Sequence, residues 1–196
     1  VGNFRISPDG SMVLFTADFD PSAETYALYR APIDGGDIMQ VAGPLAEGRE
    51  FEDFRISPDG STVIYLADEN IAGRPGLYNV SIDGGIAIQI SGSDAPFGDG
   101  VERFDISPDG STVVYLADQD DDGVIELYSV SITGGADTKL NPALASGGDV
   151  KSFQLSGDSS SVIHHADQDD NGVHELYHVP AGGGVSTKIN APLAAN

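Results

Sequence analysis

Two nearly identical strings carry the densest potential chemistry in this chain. They are D-Q-D-D-D-G-V-I-E-L-Y, from Asp118 to Tyr128, and D-Q-D-D-N-G-V-H-E-L-Y, from Asp167 to Tyr177. Carboxylates packed this closely repel one another. A hard cation such as Ca²⁺ relieves that repulsion and finds there what it needs, six to eight oxygens at roughly 2.3–2.6 Å. The first string offers Asp118, Asp120, Asp122 and Glu126 in the spacing D-x-D-x-D-G-x-x-E; the second offers Asp167, Asp169, Asn171 and Glu175. Alternate residues of a tight loop turn their side chains inward, and the glycine supplies the bend. The backbone carbonyl of Val124 or Val173 can then join the shell. Asp121 and Asp170 fall out of phase and are expected in solvent. An EF-hand is excluded, because its bidentate Glu would fall on Ser129 and no helical period flanks the loop.

A plainer reading is that Asp, Asn and Gly suit hairpin loops, and an acidic protein has acidic loops. Against it stand the spacing, met twice, and a Glu at the start of a strand, where Glu is a poor β former. Structural Ca²⁺ is therefore the expected cofactor. Two further loops have drifted and are weaker candidates. One has Asp18, Asp20 and Ser22, but Ala23 where Gly is wanted and one extra residue before Leu28. The other has Asp68, Asn70 and Gly73, with Ala72 and Gly76 at positions where ligands are needed.

The elements that must position these loops come from a fourfold repeat. F-R-I-S-P-D-G begins at Phe4 and Phe54, F-D-I-S-P-D-G at Phe104 and F-Q-L-S-G-D-S at Phe153, at intervals of 50, 50 and 49 residues. Each is followed by an apolar run ending in Ala-Asp, as in T-V-V-Y-L-A-D. A Leu-Tyr pair, a Gly-Gly turn and a short last run such as T-K-L-N or T-K-I-N follow. The pattern predicts four short strands per repeat. S-P-D-G turns the first into the second, Pro presetting φ and Gly accepting a positive φ. Gly-Gly turns the third into the fourth. The second strand is rich in β-branched residues and reads as buried on both faces. Four-stranded units of this length are the signature of β-propeller blades. The expectation is a single all-β domain, 1–196, with blades at approximately 1–50, 51–100, 101–149 and 150–196. Three assemblies stay open: a closed four-bladed ring, half of a larger ring made by two chains, or part of a longer array.

I-S-P-D-G-S-x-V-x-Y followed by L-Y-x-V-x-I-x-G-G resembles the PD40, or TolB-like, class of WD40-related propeller repeats across essentially the whole chain. The acidic strings are similar to the calcium-binding hairpin loops of integrin-type propellers, with Glu in place of the last Asp. The first resemblance implies a binding platform for protein or glycan, or the propeller portion of a secreted lyase or peptidase.

Composition narrows the partners. The net charge is −22 and the pI about 4.1, which argues against nucleic acid and against anionic membranes. No apolar run approaches the roughly 18 residues of a membrane span. With no Cys, thiolate metal sites and cysteine nucleophiles are excluded. G-x-S-x-G is absent, and the paired carboxylates sit in the expected cation loops, so no catalytic constellation is recognised. All four His residues, His164, His165, His174 and His178, fall in the last repeat, where they replace Tyr115, Leu116, Ile125 and Ser129 of the third. Polar substitution on an exposed or interface-forming blade explains them more simply than a transition-metal site. The function expected is a calcium-binding, non-catalytic scaffold or interaction module, extracellular or periplasmic, with a protein partner or self-association.

Overall fold

The computed structural model describes residues 2–19, 22, 25–71, 73–92 and 100–191. All regular structure in them is strand, in four antiparallel four-stranded sheets ordered as the chain runs. Blade 1 holds β1 (Phe4–Ile6), β2 (Met12–Ala17), β3 (Ala27–Pro32) and β4 (Met39–Ala42). Blade 2 holds β5 (Phe51–Ile56), β6 (Thr62–Ile71), β7 (Arg74–Ser81) and β8 (Ile88–Gln89). Blade 3 holds β9 (Val101–Ile106), β10 (Thr112–Ala117), β11 (Glu126–Ser131) and β12 (Thr138–Lys139). Blade 4 holds β13 (Val150–Leu155), β14 (Ser161–Ala166), β15 (Glu175–Pro180) and β16 (Thr187–Lys188). The all-β propeller architecture expected from the repeat is thus the observed one. The chain divides into two compact units, Val1–Ser93 and Asp94–Asn196, each a pair of blades.

The turns form as their residues require. In the first, Gly10 N–H donates to the Ser7 carbonyl at 2.9 Å with φ near 74°. The Asp of each S-P-D-G then works locally. Asp9 accepts from the Ser7 hydroxyl at 2.6 Å and the Ser11 N–H at 3.0 Å, and those bonds, the Ser7 bond foremost, hold its carboxyl down to about 2. Asp109 and Asp158 repeat the arrangement. The last repeat writes S-G-D-S instead, so Ser159 takes the positive φ, at 63°, that glycine takes elsewhere.

Register aligns one side-chain row across each blade. Phe104 pairs with Tyr115, Tyr115 with Tyr128, and Tyr128 with Lys139. In blade 4 the row is Phe153, His164, Tyr177 and Lys188; in blade 2 it is Phe54, Tyr65, Tyr78 and Gln89. The second and third members stack, with ring centroids 5.5 Å apart for Tyr115–Tyr128 and 5.3 Å for His164–Tyr177. In the first unit the Phe54, Tyr65 and Tyr78 face of blade 2 is packed on Leu14, Leu28 and Val41 of blade 1. In the second, the Phe153 and Tyr177 face of blade 4 is packed on Val114, Leu116, Leu127 and Leu140 of blade 3. Strands β6 and β10 are buried on both faces along their cores, as their β-branched composition required.

Candidate functional site

The two acidic strings form the hairpin loops β10–β11 and β14–β15, and the structure divides their acids between two tasks. Asp118 and Asp167 open the loops and are buried. Asp167 Oδ2 accepts from Gly172 N–H at 2.9 Å, and its Oδ1 accepts from Asp149 N–H at 2.6 Å. Asp118 does the same with Gly123, at 3.4 Å, and Gly100, at 3.1 Å. Blade 2 shows the same device: Asp68 accepts from Gly73 N–H at 3.0 Å and Glu50 N–H at 3.2 Å. One carboxylate therefore closes each loop on itself and ties it to the segment entering the blade. The glycine donor has a positive φ in all three loops, near 73° at Gly73, 75° at Gly123 and 81° at Gly172.

The second task is ion pairing. Glu126 and Glu175 begin β11 and β15 almost wholly buried, where an unpaired carboxylate is costly. Each meets the ammonium of a lysine on the fourth strand of its own blade, Lys139 and Lys188. The same ammonium reaches Asp120 at 3.2 Å in blade 3 and Asp169 at 2.8 Å in blade 4. Tyr128 and Tyr177 add hydroxyl bonds to the buried Glu, at 2.8 Å and 3.2 Å. Burial works to lower the pKa of Lys139, but its bonds to Glu126 and Asp120 outweigh it and leave the ammonium raised. Asp169 is held low, chiefly by Lys188. Burial, and then the neighbouring acids, push the Tyr128 phenol up.

The remaining expected ligands do not converge on this centre. Asp122, Asn171, Asp121 and Asp170 are exposed, and Asn171 Nδ2 lies beside Gly147 rather than in the loop. The Val124 and Val173 N–H groups close turns onto the carbonyls of Asp121 and Asp170, both at 3.0 Å. Among the weaker candidates, Asp18 and Ser22 flank a stretch in which Asp20 lies outside the described residues. Asn70 donates to Gln89 at 2.7 Å, a neutral version of the Asp120–Lys139 pair. Among the described residues, no three His, Asp or Glu side chains gather as metal ligands would. As arranged, the donor set does not fit a resident Ca²⁺. Asp118 and Asp167 are engaged by backbone amides, and a lysine already neutralises the two acids that do converge.

Sequence reasoning missed the lysines, although a signal was present. Lys139 and Lys188 occur in the two repeats whose third strand starts with Glu. The two repeats with Ala27 and Gly76 at the position of that Glu carry Gln40 and Gln89 instead.

The His residues also separate. His164 is fully buried in the position of Tyr115, with Nε2 3.3 Å from Gln168 Oε1 and Nδ1 without a hydrogen-bond partner. Tyr115 reaches Asp137 at 2.6 Å; the blade 4 counterpart of Asp137 is Ser186, whose buried hydroxyl also has no partner. Burial lowers the His164 pKa, so folding favours the neutral ring. The stability this group contributes is complete above its unfolded value of about 6.5 and is lost as pH falls below it, because the unfolded chain then binds the extra proton. His164→Tyr, whose hydroxyl would meet Gln168 and Ser186, is expected to raise the melting midpoint at pH 7 by about one hydrogen bond, ~1 kcal/mol. It is expected to raise it further at pH 5. Melting curves at both pH values check this, and an equal gain at both would refute the titration.

No family model matches this chain, and no curated protein does. Solved structures match its fold. A putative TolB from Agrobacterium tumefaciens is 22% identical with a TM-score of 0.60, over 96% of this chain and 61% of that one. An oligogalacturonate lyase solved in complex with manganese is 14% identical with a TM-score of 0.65, over 96% of this chain and 52% of that one. Dipeptidyl peptidase 4 from Porphyromonas gingivalis is 13% identical with a TM-score of 0.70, over 96% of this chain and 30% of that one. At these identities the likeness is one of fold: a TolB-like β-propeller, of which this chain spans about three fifths or less of each relative.

Proposed function

We propose that this chain is a non-catalytic propeller scaffold, acting outside the cytoplasm by presenting blade surfaces to a protein partner. One observation carries the reading: the carboxylates that looked available for chemistry are engaged in holding hairpins. Asp118 and Asp167 cap backbone amides, Asp120, Asp169, Glu126 and Glu175 pair with lysines, and Asp109 and Asp158 bind their own turns. An extracellular or periplasmic setting accords with the TolB-like fold, and a chain without cysteine is indifferent to an oxidising compartment. The lyase and peptidase among the similar structures favour a second reading, a propeller portion of a larger enzyme.

In the scaffold reading the internal lysines stand where calcium was expected, so stability does not depend on the ion. Melting curves with millimolar Ca²⁺ and with chelator are expected to coincide. A ligand that binds only the folded state stabilises by about 2.7 kcal/mol at a hundred times its Kd, so a midpoint that climbs with Ca²⁺ and drops with chelator would restore the calcium-binding scaffold.

A further inference from the structure

The loop between β14 and β15 carries a reaction that its hydrogen bonds oppose. Its tip reads Asn171–Gly172, a side-chain amide followed by a residue with no Cβ to shield or stiffen the next backbone nitrogen. Such a pair is thermolabile, with water as the only co-reactant. The Gly172 nitrogen gives its proton to solvent and bonds to Asn171 Cγ; the Cγ–Nδ2 bond breaks, and Nδ2 takes up a proton and leaves as ammonia. Water then opens the cyclic imide. Cleavage of the new Cγ–N bond gives aspartate. Cleavage of the original peptide bond gives isoaspartate, in which the backbone runs through Cγ.

The folded loop holds both reacting groups off that path. Gly172 N–H donates to Oδ2 of the buried Asp167 at 2.9 Å. Burial disfavours the Asp167 charge, but the amide bonds from Asp149 and Gly172 outweigh it and keep its pKa low, so the acceptor is a carboxylate at neutral pH. A negative acceptor strengthens the bond and disfavours the amide anion that attack requires. Val173 N–H donates to the Asp170 carbonyl at 3.0 Å, with Gly172 in the third turn position at the positive φ, near 81°, that a type II turn reserves for glycine. Asn171 Nδ2 lies instead beside Gly147, where a Cβ would be 2.6 Å from it. Blade 3 has the same loop with Asp122 before Gly123, and there the bond from Gly123 N–H to Asp118 Oδ2 is longer, at 3.4 Å.

We propose that Asn171–Gly172 is a site of spontaneous deamidation whose rate is set by the Asp167 carboxylate. While Asp167 holds the Gly172 N–H the amide persists, and opening of the hairpin releases it to react. The aspartate product adds a negative charge and reproduces the D-x-D-x-D-G string of blade 3. The isoaspartate product lengthens the backbone by a methylene and takes the Gly172 N–H away from Asp167, so the modified loop loses the bond that protected it.

The test follows Asn171 by peptide mapping with mass spectrometry, in the wild-type chain kept folded at neutral pH and in the same chain unfolded in urea. Conversion in the folded chain is expected to be at least about tenfold slower, the scale of one hydrogen bond to a charged acceptor. Asp167→Ala, where its melting curve shows a folded chain, is expected to lose most of that protection. A second variant, Asp122→Asn, keeps both capping carboxylates and puts an Asn–Gly pair in the blade 3 loop. Its introduced amide is expected to convert faster than Asn171 in the same folded molecule. Equal rates in the folded and unfolded wild type overturn the proposal. So does a folded Asp167→Ala chain that converts no faster than the wild type, and slower conversion there would make the carboxylate a base rather than a guard. An introduced blade 3 amide that outlasts or merely matches Asn171 overturns it as well.

Discussion

Lys139→Gln is expected to lower stability at pH 7 by about 2–3 kcal/mol, more than a surface lysine normally costs. Exposed ion pairs contribute about 0–1 kcal/mol, whereas stranding one partner of a buried pair costs about 3–5 kcal/mol. This pair is mixed: the lysine side chain is 32% exposed, but its partner Glu126 only 4%. Removing the ammonium leaves Glu126 with only polar neighbours such as Tyr128, and its charge uncompensated. The companion Asp120, half in water, relaxes at little cost. The double variant Lys139→Gln, Glu126→Gln is therefore expected to recover most of the loss, imitating the neutral solution that blade 2 reaches with Gly76, Asn70 and Gln89. Calorimetric melting of the two singles and the double measures the coupling. Additive losses would show that the two groups do not interact.

Phe54→Ala and Phe4→Ala, the same substitution at equivalent repeat positions, are expected to differ several-fold in cost. Phe54 is enclosed by Leu14, Leu28, Val41 and Tyr65, so truncating it opens a cavity and should cost about 3–5 kcal/mol. Phe4 stands largely in water, and its truncation should cost the dilute chain less than about 1 kcal/mol. Equal losses in melting experiments at low concentration would contradict the exposure of Phe4.

The fold was legible because the repeat states it four times. Ser-Pro-Asp-Gly and Gly-Gly name their turns, and T-V-V-Y-L-A names a strand buried on both faces, all by local rules of backbone geometry. The burial of terminal faces was not legible. F-R-I is identical in blades 1 and 2, and only the neighbouring blade decides whether its Phe is core or surface. The acidic loops were half legible. Their spacing was read as a cation site, whereas in the structure Asp120 and Glu126 converge on the Lys139 ammonium and Asp122 stands in solvent. The compensating charge lies on a strand 19 residues away, and the register pairing Tyr128 with Lys139 is needed to see it. The role of Asp118 and Asp167 escaped for a related reason: an aspartate that caps a loop amide and one that ligates a metal occupy the same first position of the same motif.

What fills the centre of these loops separates a lysine-paired hairpin from a metal site. A high-resolution crystal structure from crystals grown in millimolar Ca²⁺ decides it. The Lys139 and Lys188 ammonium groups are expected to be hydrogen-bonded to Asp120 with Glu126 and to Asp169 with Glu175, with no ion between them. A peak bound by six or more oxygens at roughly 2.3–2.6 Å, Asp118 or Asp167 among them and the lysine displaced, would contradict it.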